Sequence, residues 1–511
     1  MAEKQDIHDR GKKKPFVNIL TSWLDLEKLS RVLWGLVLLT LPVTSFRYFP
    51  LLGKHTYVRP LAFYPLALLY LILFLRLVIA SSRKDTSRND KFRLPWSNAL
   101  LPLLLFFLFI ILATTAGAFL SPIPLRGQEY WGRALRAFLT FGIGLSFFIA
   151  TLWMHRDLDD LRHSLKWLYA GLFLTIIWSG VQAISFYTPL LSKAQVSEWQ
   201  LLFSMRGIPK LRRVSGFAFE ASWLAGQIST LYLPWLMASL LLRFRVTKFK
   251  WLEPLLLLGS VVVLLLTYSR GGLLIVLAAT GITILVSGRK NIQRSFYWLT
   301  HIPEKTRRLS SWGLRALVVL LIIGITWGGV SFLAQQNYIN RLWTVEADSL
   351  ADYFVKTNAG GRVTYLWAAV QIFLQHPLLG TGLGSSGLYL YQNFPDWALS
   401  NIPEITKHLS PASSLYPNAK NLYLRILAEN GVFGFTLFIS FLFAILSQIL
   451  TALRHEKMKI VGIAGLFSWV AILIYYFMQD SFAMAELWIN FGVVLGITYR
   501  TAKTQSTPRE L

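Results

Sequence analysis

Uninterrupted apolar runs recur along this chain, and they restrict its fold more than any other feature. SNALLPLLLFFLFIILATTAGAF at residues 97–119 and LRALVVLLIIGITWGGVSFLA at residues 314–334 are two of them. A bilayer core about 30 Å thick takes roughly 20 helical residues at about 1.5 Å each. Soluble domains are about half apolar too, but they do not gather those residues into span-length blocks. Membrane strands would alternate polar and apolar positions, and these runs do not. The expectation is an all-α polytopic membrane protein.

Runs of this kind predict about twelve transmembrane helices. Their centres fall at Leu33–Phe46, Leu61–Ala80, Ala99–Phe119, Leu135–Leu152, Leu165–Phe186, Trp223–Leu242, Leu252–Thr267, Gly272–Val286, Leu314–Ala334, Val432–Leu450, Ile460–Phe477 and Phe482–Tyr499. With the N-terminus in the cytoplasm and the spans alternating, inside segments hold roughly 32 of the 51 basic residues, as the positive-inside bias requires. Arg83–Arg93, Arg243–Lys250 and Arg289–Arg315 are the clearest inside loops, and both termini then face the cytoplasm. This placement accounts for much of the +26 net charge without a nucleic-acid partner. The N-terminal MAEKQDIHDRGKKKPF is charged and lacks the apolar core of a cleaved signal peptide. No cysteine is present, which excludes disulfides, Fe–S clusters and Cys-ligated zinc.

The whole chain, 1–511, reads as one integral membrane domain with two long outside loops, at about 187–220 and 335–420. Loops longer than about 12–15 residues are usually functional or disordered. The second contains RVTYLWAAVQIFLQH, Arg362–His376, where Val363, Leu366, Val370 and Phe373 recur at helical spacing. That predicts an amphipathic helix lying on the membrane surface or capping the bundle. Pro377 should stop it, and Gly380, Gly382 and Gly384 should permit tight turns. GTGLGS follows a helix rather than a strand, so it does not read as a dinucleotide loop.

Three outside arginines stand against the positive-inside trend: Arg213, Arg270 and Arg362. Guanidinium groups keep their charge and offer a planar fork of donors suited to phosphate oxyanions. Lipid-headgroup snorkelling is the plain alternative for them. Asn421, Arg425 and Glu429 recur every four residues, which makes either an internal Arg425–Glu429 pair or a polar stripe facing an outer cavity. Asp480 and Glu486 flank a short outside turn, where capping or a polar bundle contact is expected. HExxH, P-loop and Asp-rich metal motifs are missing from the sequence, so no metal site is expected.

Four ordered blocks carry a resemblance: RVSGFAFEAS at Arg213–Ser222, TYSRGG at Thr267–Gly272, GRVTYLW to HPLLGTGLGS at Gly361–Ser385, and KNLYLRILAENGVFG at Lys420–Gly434. Together they resemble the O-antigen ligase and O-antigen polymerase superfamily of bacterial envelope glycosyltransferases. The resemblance implies a GT-C-like helical fold in the inner membrane with a periplasmic active site. It implies transfer of a glycan from a polyprenyl (undecaprenyl) diphosphate carrier to an acceptor hydroxyl on lipid or glycan, as in lipopolysaccharide assembly. No metal, cofactor or nucleotide sugar is implied, and the partners are the carrier-linked glycan, the acceptor and membrane lipids. Arg213 and Arg270 would match the diphosphate-binding arginines, and Arg362 the arginine before the family's aromatic position, here Trp367.

The family's His-Asn pair is Lys420–Asn421 in this chain. An unperturbed lysine near pKa 10.4 is a poor base at neutral pH. Lys420 is therefore either a base with a depressed pKa or a third cation for the diphosphate, with Glu220, His408 and Glu429 as other candidate bases. Two further readings remain at this stage: a secondary transporter of an anionic solute, and an inactive homologue acting in polysaccharide assembly.

Overall fold

The computed structural model describes residues 25–48, 58–81, 97–209, 212–288, 345–357, 359–413 and 416–506, with single positions between 293 and 344. Among these, every regular element is helical, and three isolated β-bridges are the sole extended pairings. The helices run α1 Leu26–Thr40, α2 Phe63–Ser81, α3 Leu101–Ala118, α4 Tyr130–Met154, α5 Leu158–Tyr187 and α6 Lys193–Leu201. Next come α7 Ala221–Gln227, a π-helical turn Ile228–Tyr232, α8 Leu233–Leu241, α9 Leu252–Leu266 and α10 Arg270–Ser287. Then follow α11 Leu350–Lys356, α12 Gly360–Gln375, α13 Ser386–Tyr389, α14 Asp396–Asn401, α15 Pro403–Leu409, α16 Leu422–Arg454, α17 Lys459–Tyr475 and α18 Ala485–Ser506.

Seven helical stretches among the described residues are long and apolar enough to cross a membrane: Asn98–Ala118, Tyr130–Met154, Leu158–Tyr187, Ala221–Leu241, Arg270–Ser287, Leu422–Arg454 and Glu456–Tyr475. Phe63–Ile79 and Leu252–Leu266 are shorter apolar helices. Seven stretches among the described residues meet this criterion, against about twelve expected for the whole chain; the expected span Leu314–Ala334 and the basic loops Arg83–Arg93 and Arg289–Arg315 lie largely outside the described residues. The outward faces fit a lipid solvent. Leu68, Leu71, Phe74 and Leu75 on α2 are exposed, as are Leu104, Leu105, Leu108 and Leu112 on α3 and Leu255, Leu258, Val262 and Leu265 on α9. Apolar patches of that extent are rare on a water-soluble monomer.

The main core joins α1–α5, α7–α10 and α16–α18, with Trp34, Trp235, Trp488, Phe106, Phe141 and Phe438 fully buried. Helices α11 to α15 build a second, smaller core over one end of the bundle, around Tyr365, Ile372, Leu390, Phe394, Ile402 and Ile405. Helix α12 starts two residues earlier and ends one residue earlier than expected. Its packing face differs from the expected one. Gly360, Gly361, Thr364, Tyr365, Ala368, Ala369 and Ile372 are buried, whereas Val363, Leu366, Val370 and Phe373 are half-buried. The reason is close packing of the small face: Gly360 and Gly361 sit against Ile402 and Glu404 and the helix packs on α16, so the larger apolar side chains lie further out.

Helix α16 is broken. Gly431 sits at φ 60°, ψ −167°, so the helix runs from Leu422 to Asn430, turns, and resumes. The HPLLGTGLGS segment wedges into that break. The amides of Thr381 and Gly382 donate to the carbonyls of Ala428 and Glu429 at 3.0 and 2.7 Å, and the Val432 amide donates to the Pro377 carbonyl at 2.8 Å. The freed helical groups are thereby satisfied, as low-dielectric surroundings demand. Gly380, Gly382 and Gly384 all have positive φ, as the sequence suggested. A Cβ on Gly431 would lie 2.1 Å from the Leu378 carbonyl oxygen, so the wedge requires glycine on both sides.

Candidate functional site

The turn 476–484 between α17 and α18 accepts bonds from Lys420, Arg425 and Arg362. The Leu422 amide donates to the carbonyls of Tyr476 and Gln479. The Lys420 amide donates to the Asp480 carboxylate at 3.2 Å, and the Arg425 guanidinium donates to the Asp480 carbonyl at 2.7 Å. Arg362 donates to the Met478 carbonyl at 3.3 Å. On the far side Gly271 approaches the same methionine so closely that a Cβ there would meet its sulfur at 2.5 Å.

Arg213 and Arg270 are held together by the turn between α9 and α10. Arg213 Nε donates to the Thr267 carbonyl at 2.8 Å, and the next amide, Val214, donates to Leu266. Arg270 opens α10 directly after Ser269, whose hydroxyl caps the helix at the Gly272 amide. The buried Gln182 fixes the segment after Arg213, accepting from the Ser215 and Gly216 amides at 3.0 and 2.9 Å. Arg213 and Arg270 thus lie at the turn between α9 and α10, and Arg362 at the turn 476–484, which Gly271 beside Arg270 approaches.

Lys420 adopts φ +54°, a strained conformation for a side-chain-bearing residue. Its ammonium pairs with Glu404 at 3.2 Å and lies 4.4 Å from the Tyr365 ring centre. The Tyr365 hydroxyl in turn meets His408 Nδ1 at 2.8 Å. Burial pushes the His408 imidazole below its ordinary value, and Lys420, Arg126 and Lys407 push the same way against Glu404. Burial raises the Asp480 carboxyl, while Arg425 and the Lys420 amide pull it back. Arg212 and Tyr268, the neighbours of Arg213 and of Ser269–Arg270, also have positive φ. Strained backbone gathered in this way is a recurring mark of functional sites.

The other candidates divide by what holds them. Asn421 is spent on structure: its side-chain oxygen caps α16 at the Leu424 amide, 3.0 Å away. Glu429 is buried and engaged at both oxygens, by Arg425 Nε at 3.1 Å and by the Ser386 hydroxyl at 2.7 Å. Glu220 is different, being 43% exposed, paired with Arg206 at 3.4 Å and accepting from Ser222.

Sequence reasoning passed over Arg133, and it gave Asp480 only a minor part. Arg133 stacks on the Tyr416 ring at 3.6 Å and lies within electrostatic reach of Arg425 and Glu429. Among the described residues its Nε has no hydrogen-bond partner. Its signal was available, since it is another arginine near the start of an apolar span, Tyr130–Met154. Both oxygens of the buried Glu486 likewise lack a partner among the described residues. An open cleft lined by Ser400, Asn401, Pro403, Thr406, Lys407 and Ser410 contains none of the candidates.

Residues 255–439 match the O-antigen ligase family model. The match supports the O-antigen ligase and polymerase superfamily for this chain, in agreement with the ordered motifs. It covers Arg270, Arg362, Lys420, Asn421 and Glu429, whereas Arg213 and Glu220 lie upstream of it. No curated protein matches the chain. The family and the apolar helices point to a bacterial membrane protein engaged in glycosyl transfer during envelope polysaccharide assembly.

Proposed function

We propose that this protein transfers a glycan from a polyprenyl diphosphate carrier to an acceptor hydroxyl at the periplasmic face of the inner membrane. The reading is supported by Arg362 and the Lys420 amide both bonding to the turn 476–484, which Gly271 beside Arg270 also approaches, and by Arg213 bonding to the Thr267 carbonyl three residues before Arg270. Arg213, Arg270 and Arg362 bind the diphosphate. Neutralising its charge makes it a good leaving group, and preorganised cations in a water-poor site supply that stabilisation without reorganisation. Lys420 serves as a further cation, oriented by Glu404 and Tyr365. Glu220 is the favoured general base, because its side chain is accessible whereas Glu429 is buried between Arg425 and Ser386 and Asn421 is spent on a cap.

In the reaction the acceptor oxygen joins the anomeric carbon as its proton passes to the base. The anomeric C–O bond to the diphosphate breaks, and its electron pair leaves with the diphosphate. The envelope glycan profile of a strain lacking the protein tests this reading, with complementation by wild type, Arg270→Ala or Lys420→Ala. Undecorated acceptor with accumulated carrier-linked chains, relieved by wild type alone, is expected for a ligase. Products of a single repeat unit would identify a polymerase, and an unchanged profile would overturn the reading.

A further inference from the structure

A tight turn far from the family motifs holds the outer helices in place. Leu125 and Gln128 exchange two backbone hydrogen bonds, of 3.1 and 2.9 Å, across Arg126 and Gly127. Both central residues have positive φ, +54° and +68°, the signature of a type I′ hairpin turn. Asn, Asp and Gly are the usual occupants of the first central position, because a Cβ there is strained. An arginine kept in such a place invites a search for what it holds.

Arg126 reaches across to the outer helices. Its guanidinium donates to the carbonyls of His408 and Ser410, to the Ser413 hydroxyl at 3.1 Å and to the Tyr391 hydroxyl at 3.4 Å. It also lies over the Tyr391 ring, 5.3 Å from its centre. The two carbonyls belong to the C-terminal end of α15, where a cation is favoured both by open carbonyls and by the helix dipole. Helix α15 is also the element that grips the Lys420 region. Its Glu404 pairs with the Lys420 ammonium, and its His408 meets Tyr365, over whose ring that ammonium sits.

We infer that Arg126 is a positioning residue for the transfer site, acting through α15 on Lys420. The inference rests on the proposed transfer reading. Arg126 bonds to the end of α15, to Ser413 and to Tyr391. It fixes the end of the helix whose other residues set the Lys420 ammonium. Loss of the latch leaves the bundle intact and lets α15 and Lys420 shift. Small displacements of this kind at a reacting centre cost about a hundredfold in rate.

The test uses the full-length protein in membranes, with carrier-linked glycan as donor. Arg126→Gly is the informative variant: glycine relaxes the turn while removing the latch. Transfer should fall by about ten- to a hundredfold in kcat with little change in donor KM. Protease sites between 391 and 413 should become accessible. Arg126→Lys should rescue only part of the rate, since lysine cannot reach several acceptors as a fork. Combining Arg126→Gly with Glu404→Gln should cost little more than either change alone, because both act through α15. A wild-type rate in Arg126→Gly, or additive losses in the double variant, would overturn the inference. Protease protection separates the two claims: a wild type unable to transfer glycan defeats the transfer reading, and unchanged protection in Arg126→Gly defeats the latch itself.

Discussion

The backbone amide of Lys420 donates to the carboxylate of Asp480 across 3.2 Å, joining the end of the outer loop to a turn 60 residues further along the chain. That bond holds Lys420 in its strained conformation while the Arg425 guanidinium grips the carbonyl of the same aspartate. Asp480→Ala should leave the Lys420 amide without its acceptor. The expected cost is about 1–3 kcal/mol of stability, together with a loss of transfer. Asp480→Asn keeps an oxygen at the position and should retain most of both. Thermal unfolding in detergent, read beside glycan transfer, checks the pair.

The wedge in α16 should be intolerant of side chains. Gly431→Ala places a Cβ 2.1 Å from the Leu378 carbonyl, at a positive φ. The expected loss is about 1–3 kcal/mol from backbone strain alone, with the clash in addition. Gly127→Ala serves as a contrast: it has positive φ too, but nothing lies within 4 Å of its Cβ, so only the smaller penalty applies. Unfolding midpoints of the two variants should separate in that order.

Much of the fold was legible because the bilayer imposes span length on sequence. The apolar runs gave the helices, and His376–Gly384 gave the end of α12 and its glycine turns. The break at Gly431 was not legible. ENGVFG reads as the middle of a helix, and only the inserted wedge shows why Asn430 is followed by a left-handed glycine. The packing face of α12 was missed for a related reason. Periodicity finds the largest apolar residues, whereas a helix pressed against another backbone buries its smallest. Arg213, Arg270 and Arg362 stood out in the sequence because the expected topology sets them against the charge bias. Asp480 was read only as a capping or bundle contact, because its part lies in what it touches, the Lys420 amide and the Arg425 guanidinium.

Glu429 and Arg425 form a buried pair, 2% and 14% exposed at their side chains. Removing one member of such a pair leaves a charge without compensation, at about 3–5 kcal/mol. Glu429→Ala should therefore be among the most destabilising single changes in the chain. Glu429→Gln keeps an acceptor for Ser386 and Arg425 and should cost less. Expression level and unfolding midpoint report the difference.

His408 gives a pH dependence of definite sign. Its folded-state pKa lies below the ordinary value of 6.5, chiefly through burial. As pH falls through 6.5, the unfolded chain takes up a proton that the folded chain does not. Stability contributed by the neutral, Tyr365-bonded imidazole is thus present above pH 6.5 and lost as pH falls below it towards the lowered folded value. Wild type should lose midpoint temperature between pH 7 and pH 5 more steeply than His408→Gln. Equal slopes would show that the imidazole carries no such linkage.

Transfer by the purified protein in vesicles tests the central claim most directly, with a polyprenyl-diphosphate glycan as donor and wild type compared with Arg213→Ala and Arg270→Ala. Loss of a preorganised cation at a developing charge costs about 10²–10³ in rate, so each variant should fall by that order while remaining folded and monodisperse. Wild-type rates in both variants would contradict the account.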